Sequence, residues 1–509
     1  MGRAAVIRAE VDYADVQGIV RFGYGKMTEA AYVLANVKNA SAARAWLRSA
    51  PIANAVALPA APPTALQVAF TAAGLAALGV SRTVIAGFSR EFLDGMTEAN
   101  RLRRSGDIGA NAPAGWDWGG DASDGSAGVP HVVVMFFAEA RAEGGGGVAA
   151  LMKRLMGLAW SEGFDVLRTL RTGNLEGVEP FGFADGISQP EVDWNRQREV
   201  ARKQIGYNNA IALGEVLLGY PNEYGKYTDR PLLDDEAAAN MLLHAEDMPG
   251  KRDLARNGTY LVMRQLRQDV RGFWRFIAHQ SEGDPHRAEH LASAFVGRTM
   301  AGDPLVSPSN HSAFASDAKL DRRNQFTFEH DPAGAQCPFG AHVRRVNPRN
   351  GDFPGRPKGV ALLLAMLGLN RREFRDDLTS SVRFHRIVRR GREYGPRLSP
   401  DEALAPAPPD DPERGLHFIC LNANISRQFE FLQNAWVMNT KFSALTGASD
   451  PLLGNRQPLP GCPATDDFVL ERRGSARRRV TGLPQFITMR GGAYFFLPSL
   501  RAIQYIAAG

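Results

Sequence analysis

Three segments of the sequence carry side chains whose type and setting invite chemistry. In CPFGAHVRRVNPR, His342 stands between Pro338 and Asn347-Pro348. Proline suits the first turn of a helix and Asn-Pro its end, so the spacing predicts a short helix over Pro338–Val346 with His342 in its middle. Arg344 and Arg345 follow at once. Two adjacent cations oppose protonation of an imidazole, and the neutral ring is the form that binds a metal; the competing reading is a core or surface histidine in a basic helix. In FGFADGISQP, Asp185-Gly186 is a turn dipeptide flanked by Phe181, Phe183 and Ile187. Apolar flanks bury such a turn, and a buried carboxylate needs either a cation or a function. In HRIVRRGREYGP, Ile387 and Val388 lead off an apolar strand and Gly391 allows close approach. Arg389 could turn inward here as the partner of Asp185; otherwise the run is a solvated basic loop.

A fourth candidate is weaker. His286 and His290 are four residues apart and share a helix face, which suits two metal ligands, but only Glu289 stands nearby as a third donor. A solvated helix face explains them as well.

The elements that must position these groups alternate between strand and helix. Strand-like runs are Tyr32–Ala35, Leu66–Phe70, His131–Phe137, Gly258–Leu266, Leu416–Ala423 and Tyr494–Leu497. Helix-like runs are Ala42–Arg48, Thr71–Gly79, Val148–Leu158, Val270–His279 and Ile425–Val437, the last with Phe429, Leu432 and Trp436 at helical spacing. The order runs twice along 509 residues, as expected of an α+β protein with a duplicated unit. Residues 195–255 and 440–480 are polar excursions that read as insertions.

Together the three segments resemble the DyP-type (dye-decolorizing) haem peroxidases. GFADG matches that family's GxxDG signature; GAHVRRVNPR and RIVRRGREYGP resemble the segments holding its proximal histidine and distal arginine, in the same order. DVQGIVRFGYG at Asp15–Gly25, VAFTAAGLAALGV at Val68–Val80, GLHFICLNANISRQFEFLQNAW at Gly415–Trp436 and GGAYFFLPSL at Gly491–Leu500 extend the resemblance almost end to end.

The resemblance implies two ferredoxin-like units with antiparallel sheets and peripheral helices, a dimeric α+β barrel-like arrangement. The units are expected at 1–194 and 256–509, with 195–255 as insertion or linker. It implies one haem b per chain, with His342 as axial ligand of the iron. Asp185 and Arg389 would face hydrogen peroxide on the other side, Arg344 and Arg345 would meet haem propionates, and Leu416 and Phe418 would wall the distal pocket. Asn424 is the expected acceptor for the second nitrogen of His342. The implied reaction reduces hydrogen peroxide and oxidises small organic donors such as dyes and phenolics, with Trp436 one guess for a relay to bulky donors. The rival on the same fold is a haem-binding or iron-handling protein without turnover, which would need neither Asp185 nor Arg389.

Bulk properties exclude other classes. A net charge of +6 and a pI near 9.2 are mild for this length. The basic runs Arg101–Arg104, Arg386–Arg392 and Arg472–Arg479 carry few interleaved aromatics, so nucleic acid is not the expected partner. Three cysteines, Cys337, Cys420 and Cys462, give neither a disulfide scaffold nor a zinc ribbon. The longest apolar run, Val360–Leu369, is short of the ~20 residues that span a bilayer. With no leader-like segment, a cytoplasmic protein is expected.

Overall fold

Runs of β-branched and aromatic residues such as HVVVMFF have no helical periodicity and pair as strands. In the computed structural model they form one nine-stranded sheet. The structure describes residues 10–140, 146–174, 176–196, 209–307, 321–349, 382–458, 464–472 and 474–509; Cys462 and the apolar run 360–369 lie outside them.

The strands are β1 (Glu29–Val37), β2 (Thr64–Phe70), β3 (Val132–Ala138), β4 (Phe164–Arg171), β5 (Thr259–Gln268), β6 (Val388–Arg389), β7 (Arg392–Tyr394), β8 (Gly415–Asn422) and β9 (Ile487–Leu497). They lie in the order β6-β8-β5-β9-β2-β3-β1-β4, with β7 also on β8, and every pairing is antiparallel. Each half repeats the strand order of a ferredoxin-like unit: the first strand is central, between the third and the fourth. The halves meet where Phe496 of β9 pairs with Phe70 of β2. The path stays open from β4 to β6, so the described strands form no closed barrel.

Alternation along the strands gives the sheet two apolar faces. Val33, Val68, Val134, Val262 and Tyr494 pack in one core, beneath helices that contribute Trp46, Phe273, Ile277 and Ile503. Leu34, Ala69, Val133, Leu261 and Phe495 pack in the other. Ile211, Leu213, Leu217 and Tyr220 belong to that second core, so part of the expected 195–255 insertion is a cover for the sheet.

Three predicted helices differ in detail. Val148–Leu158 is interrupted at Gly157 and becomes Gly147–Leu155 and Leu158–Gly163. Ile425–Val437 is helical but wound wide, as two π-helical stretches, Ser426–Glu430 and Leu432–Val437. The helix expected over Pro338–Val346 spans only His342–Val346, with His342 as its first residue. Among the described residues no helix is long and apolar enough to cross a membrane.

Candidate active site

The edge of the second sheet half, the turn around Asp185 and the short His342 helix surround an open cavity with ≈ 230 Å³ of space for water. Leu416 and Phe418 of β8 line it, with Phe429 and Leu432 from the π-helical segment.

His342 lines the cavity, and its Nδ1 faces Asp450 Oδ2 at 2.9 Å. Asp450 has no exposed side chain, and its other oxygen accepts from the Leu452 and Leu453 N–H groups, both at 2.9 Å. Burial pushes this carboxyl up, but the imidazole and the nearby Arg345 outweigh it and hold it below the usual carboxylate range. The ionised carboxylate therefore accepts a hydrogen bond from Nδ1–H, leaving the lone pair on Nε2. No hydrogen bond among the described residues engages Nε2.

Asp185 and Arg389 line the same cavity. Arg389 Nη1 donates to Asp185 Oδ1 at 3.0 Å, and the two side chains are 31% and 36% exposed. That exposure is to the cavity, so both groups are reachable and still paired. Burial raises the Asp185 pKa, but the Arg389 charge, the Gly186 N–H and the imidazole of His342 overcome it and lower it from 3.8. Gln189 locks the pair in place. Its side chain donates to the Arg389 carbonyl at 3.0 Å and accepts from the Arg389 N–H at 3.1 Å, joining the Asp185 turn to β6. Gly391 provides the expected closeness: a Cβ there would lie 2.6 Å from the His417 carbonyl oxygen.

No family model matches the chain. A peroxidase of Mycetinis scorodonius is 26% identical over 97% of this chain and 87% of its own length. A dye-decolorizing peroxidase of the same fungus is 28% identical over 98% and 88%. Among solved structures, a dye-decolorizing peroxidase in complex with 2,6-dimethoxyphenol superposes with a TM-score of 0.70 at 22% identity, covering 98% of this chain and 100% of that one. A fungal DyP-type peroxidase from Auricularia auricula-judae gives 0.69 at 23%, covering 99% and 100%. Over nearly its whole length the chain is similar to dye-decolorizing peroxidases, and it shares their fold.

The structure corrects three expected site residues. Asn424 does not reach His342: its side chain accepts from the Arg427 N–H at 2.8 Å, capping the segment that follows β8. Asparagine between a strand and a helix is a natural cap, and Asp450 takes the role expected of it. Arg344 and Arg345 turn away from the cavity. Arg344 donates to Asp331 Oδ2 (2.9 Å) and to the Cys337 carbonyl (2.6 Å). Arg345 is fully buried and donates to the carbonyls of Trp436, Asn439 and Ala448. Both guanidinium groups are spent on backbone and carboxylate acceptors.

Four cavity groups escaped the sequence reading: Glu179, Arg298, His385 and Arg386. Only Arg386 and His385 lay in a segment singled out for chemistry; the others carried no motif of their own. The Arg386–Arg392 run is no basic surface patch. Arg386 bonds Asn209 Oδ1, Arg390 the carbonyls of Ile19 and Val20, and Arg392 those of Met27 and Tyr24. His286 and His290 stand exposed on their helix, and no cluster of three metal-binding side chains occurs among the described residues. Trp436 is buried against His385 and Phe431 and is not a surface aromatic.

Proposed function

We propose that this chain is a haem peroxidase that reduces hydrogen peroxide and oxidises small organic donors such as dyes and phenolics. One observation carries the reading. A paired carboxylate and guanidinium share an apolar cavity with an imidazole whose one unbonded nitrogen is a lone-pair donor.

The residues suit haem b, one per chain. Nε2 of His342 would hold the iron, with Asp450 fixing the tautomer and raising the basicity of the ring. Val346, Leu416, Phe418, Phe429, Leu432 and Ile487 offer apolar walls to the macrocycle. Arg298 and Arg386 offer cations to its two carboxylates. When bound, the haem would take up the two oxidising equivalents of hydrogen peroxide and pass them to donors one electron at a time.

The protein's own part is proton handling. An Asp185 carboxylate oxygen takes a proton from one peroxide oxygen and returns it to the other, which leaves as water. The Arg389 guanidinium donates to the oxygen on which negative charge develops. Overall, one peroxide and two hydrogen-atom equivalents from donors give two waters and two donor radicals. A carrier of haem would have no use for the Asp185–Arg389 pair, so catalysis is favoured. The two sheet halves also support a division into units at 1–194 and 256–509, with 195–255 as a connecting cover.

The visible spectrum of the purified protein, before and after one equivalent of hydrogen peroxide, tests the proposal. A Soret band that changes rapidly and returns on adding a phenol is expected. A haem spectrum indifferent to peroxide would leave only a haem-binding protein.

A further inference from the structure

Glu179 lies six residues before Asp185 and lines the same cavity. Its Oε1 accepts from the Phe183 N–H at 3.0 Å; its Oε2 accepts from the Phe181 N–H at 3.0 Å and from the Gln268 side-chain amide at 2.8 Å. Its backbone closes the same turn: the Glu179 N–H donates to the Phe183 carbonyl and the Gly182 N–H to the Glu179 carbonyl, both at 2.8 Å. Gly182, at φ +100°, occupies the position that only glycine fills without strain. The chain then leaves through Ala184, whose N–H donates to Met300, and Asp185, whose N–H donates to Gly177. One carboxylate thus gathers two amides of the turn and one side chain of β5, and the reacting carboxylate hangs from that turn.

We infer that Glu179 is a positioning residue for the peroxide step, its ionised carboxylate clamping the turn that carries Asp185 to strand β5. The inference rests on the peroxidase reading above. All three partners of Glu179 are donors, so the clamp is complete only when the group is ionised. On protonation, one carboxyl oxygen becomes a donor facing donors, and at least one of the three bonds is lost.

The ionisation falls in a useful range. Burial pushes Glu179 up to about 7, against the opposing pull of the three hydrogen bonds and with a further push from Asp185. The charged or titratable groups that share the cavity are Asp185, Arg298, His342, His385, Arg386 and Arg389; β5 presents the neutral Gln268. The repulsion between Glu179 and Asp185 is mutual, so an ionised Glu179 makes Asp185 a better proton acceptor. Clamp and charge act in the same direction, and both favour the peroxide step as pH rises through about 7.

The test uses the haem-loaded wild type, Glu179→Gln and Gln268→Leu, with the second-order rate of the first reaction with hydrogen peroxide followed from pH 4 to 9. The wild-type rate should rise through pH 7. Glu179→Gln should lose that rise and be about 10- to 100-fold slower at pH 8, the scale of a small misplacement of a reacting group. Gln268→Leu removes one bond to the ionised form, so its rise should move to higher pH. Identical profiles in all three would overturn the inference. Hydrogen exchange on the apoproteins at pH 8 judges the clamp without haem. Faster exchange of the Phe181 and Phe183 amides in Glu179→Gln supports it, and unchanged exchange overturns it. If wild type itself ignores peroxide, the peroxidase reading fails, and the exchange result still decides whether the clamp exists.

Discussion

His342 and Asp450 meet at 2.9 Å although 108 residues separate them in the chain. The carboxylate is buried and fixed by the Leu452 and Leu453 amides, so it cannot follow the ring if the ring moves. Asp450→Asn should therefore retain haem but supply less electron density through His342. The iron reduction potential should rise, and the reaction with peroxide should slow by about 10- to 100-fold, the usual cost of losing an outer partner of a metal ligand. Spectroelectrochemistry of the variant is the check, and an unchanged potential would show that Asp450 only packs.

Asp185 and Arg389 predict a pH signature. The Arg389 charge is the largest of the influences that lower the Asp185 pKa from 3.8. A lowered carboxyl pKa means that the ionised form persists as pH falls and is lost only below 3.8. Beneath the rise through pH 7 that Glu179 imposes, a second acid limb of the peroxide step should accordingly lie below that value in wild type and move to higher pH in Arg389→Leu. The same variant should lose about 10²- to 10³-fold in rate at neutral pH, and Asp185→Asn about 10²- to 10⁴-fold. Stopped-flow profiles that match wild type in both variants would remove the pair from the mechanism.

The distal pair was legible because its residues stand in short segments with a strong local reason to turn inward. Asp185 follows a turn between two buried phenylalanines, and Arg389 leaves an apolar strand beside a glycine. Asp450 was not legible: its segment is polar, and only the tertiary packing of residues 439–453 against the His342 helix brings it to the ring. Arg344 and Arg345 failed for a related reason. Adjacency in sequence says nothing about the side of a helix, and His342 and Val346, four apart, share the cavity face while the two arginines serve its back. The sheet could be read from its alternating strands, but the single pairing of Phe70 with Phe496 that joins its halves spans nearly the whole chain.

Arg345 should prove structural. It satisfies three backbone carbonyls, one of them on Ala448, two residues from Asp450. Its pKa is lowered to about 10 by burial, against the pull of Asp450, so the ion is costly to hold and worse to remove. Each stranded carbonyl costs ~1–3 kcal/mol. Arg345→Met should destabilise the apoprotein by at least ~3 kcal/mol in urea unfolding. A variant as stable as wild type would mean that these carbonyls find other donors.

Arg298 is the cation that should recognise the cofactor. It is buried, lines the cavity, and among the described residues forms no ion pair with a carboxylate; its donors go to the carbonyls of Gly302 and Arg323 and to the Ser188 hydroxyl. Burial, with the charges of Arg349 and Arg389, pushes its pKa down to about 10 despite Asp321. A cation so placed gains most from an anion that enters the cavity. Arg298→Met should weaken haem binding to the apoprotein by about tenfold or more, the scale of one charge-assisted hydrogen bond at ~1.5–3 kcal/mol. The dimethyl ester of haem lacks the carboxylate charge, so it should bind variant and wild type alike. Arg344→Met should weaken the two ligands equally, because Arg344 points to Asp331 and not to the cavity. If Arg298→Met binds haem as tightly as wild type, the carboxylates lie elsewhere, with Arg386 the next cation along the wall.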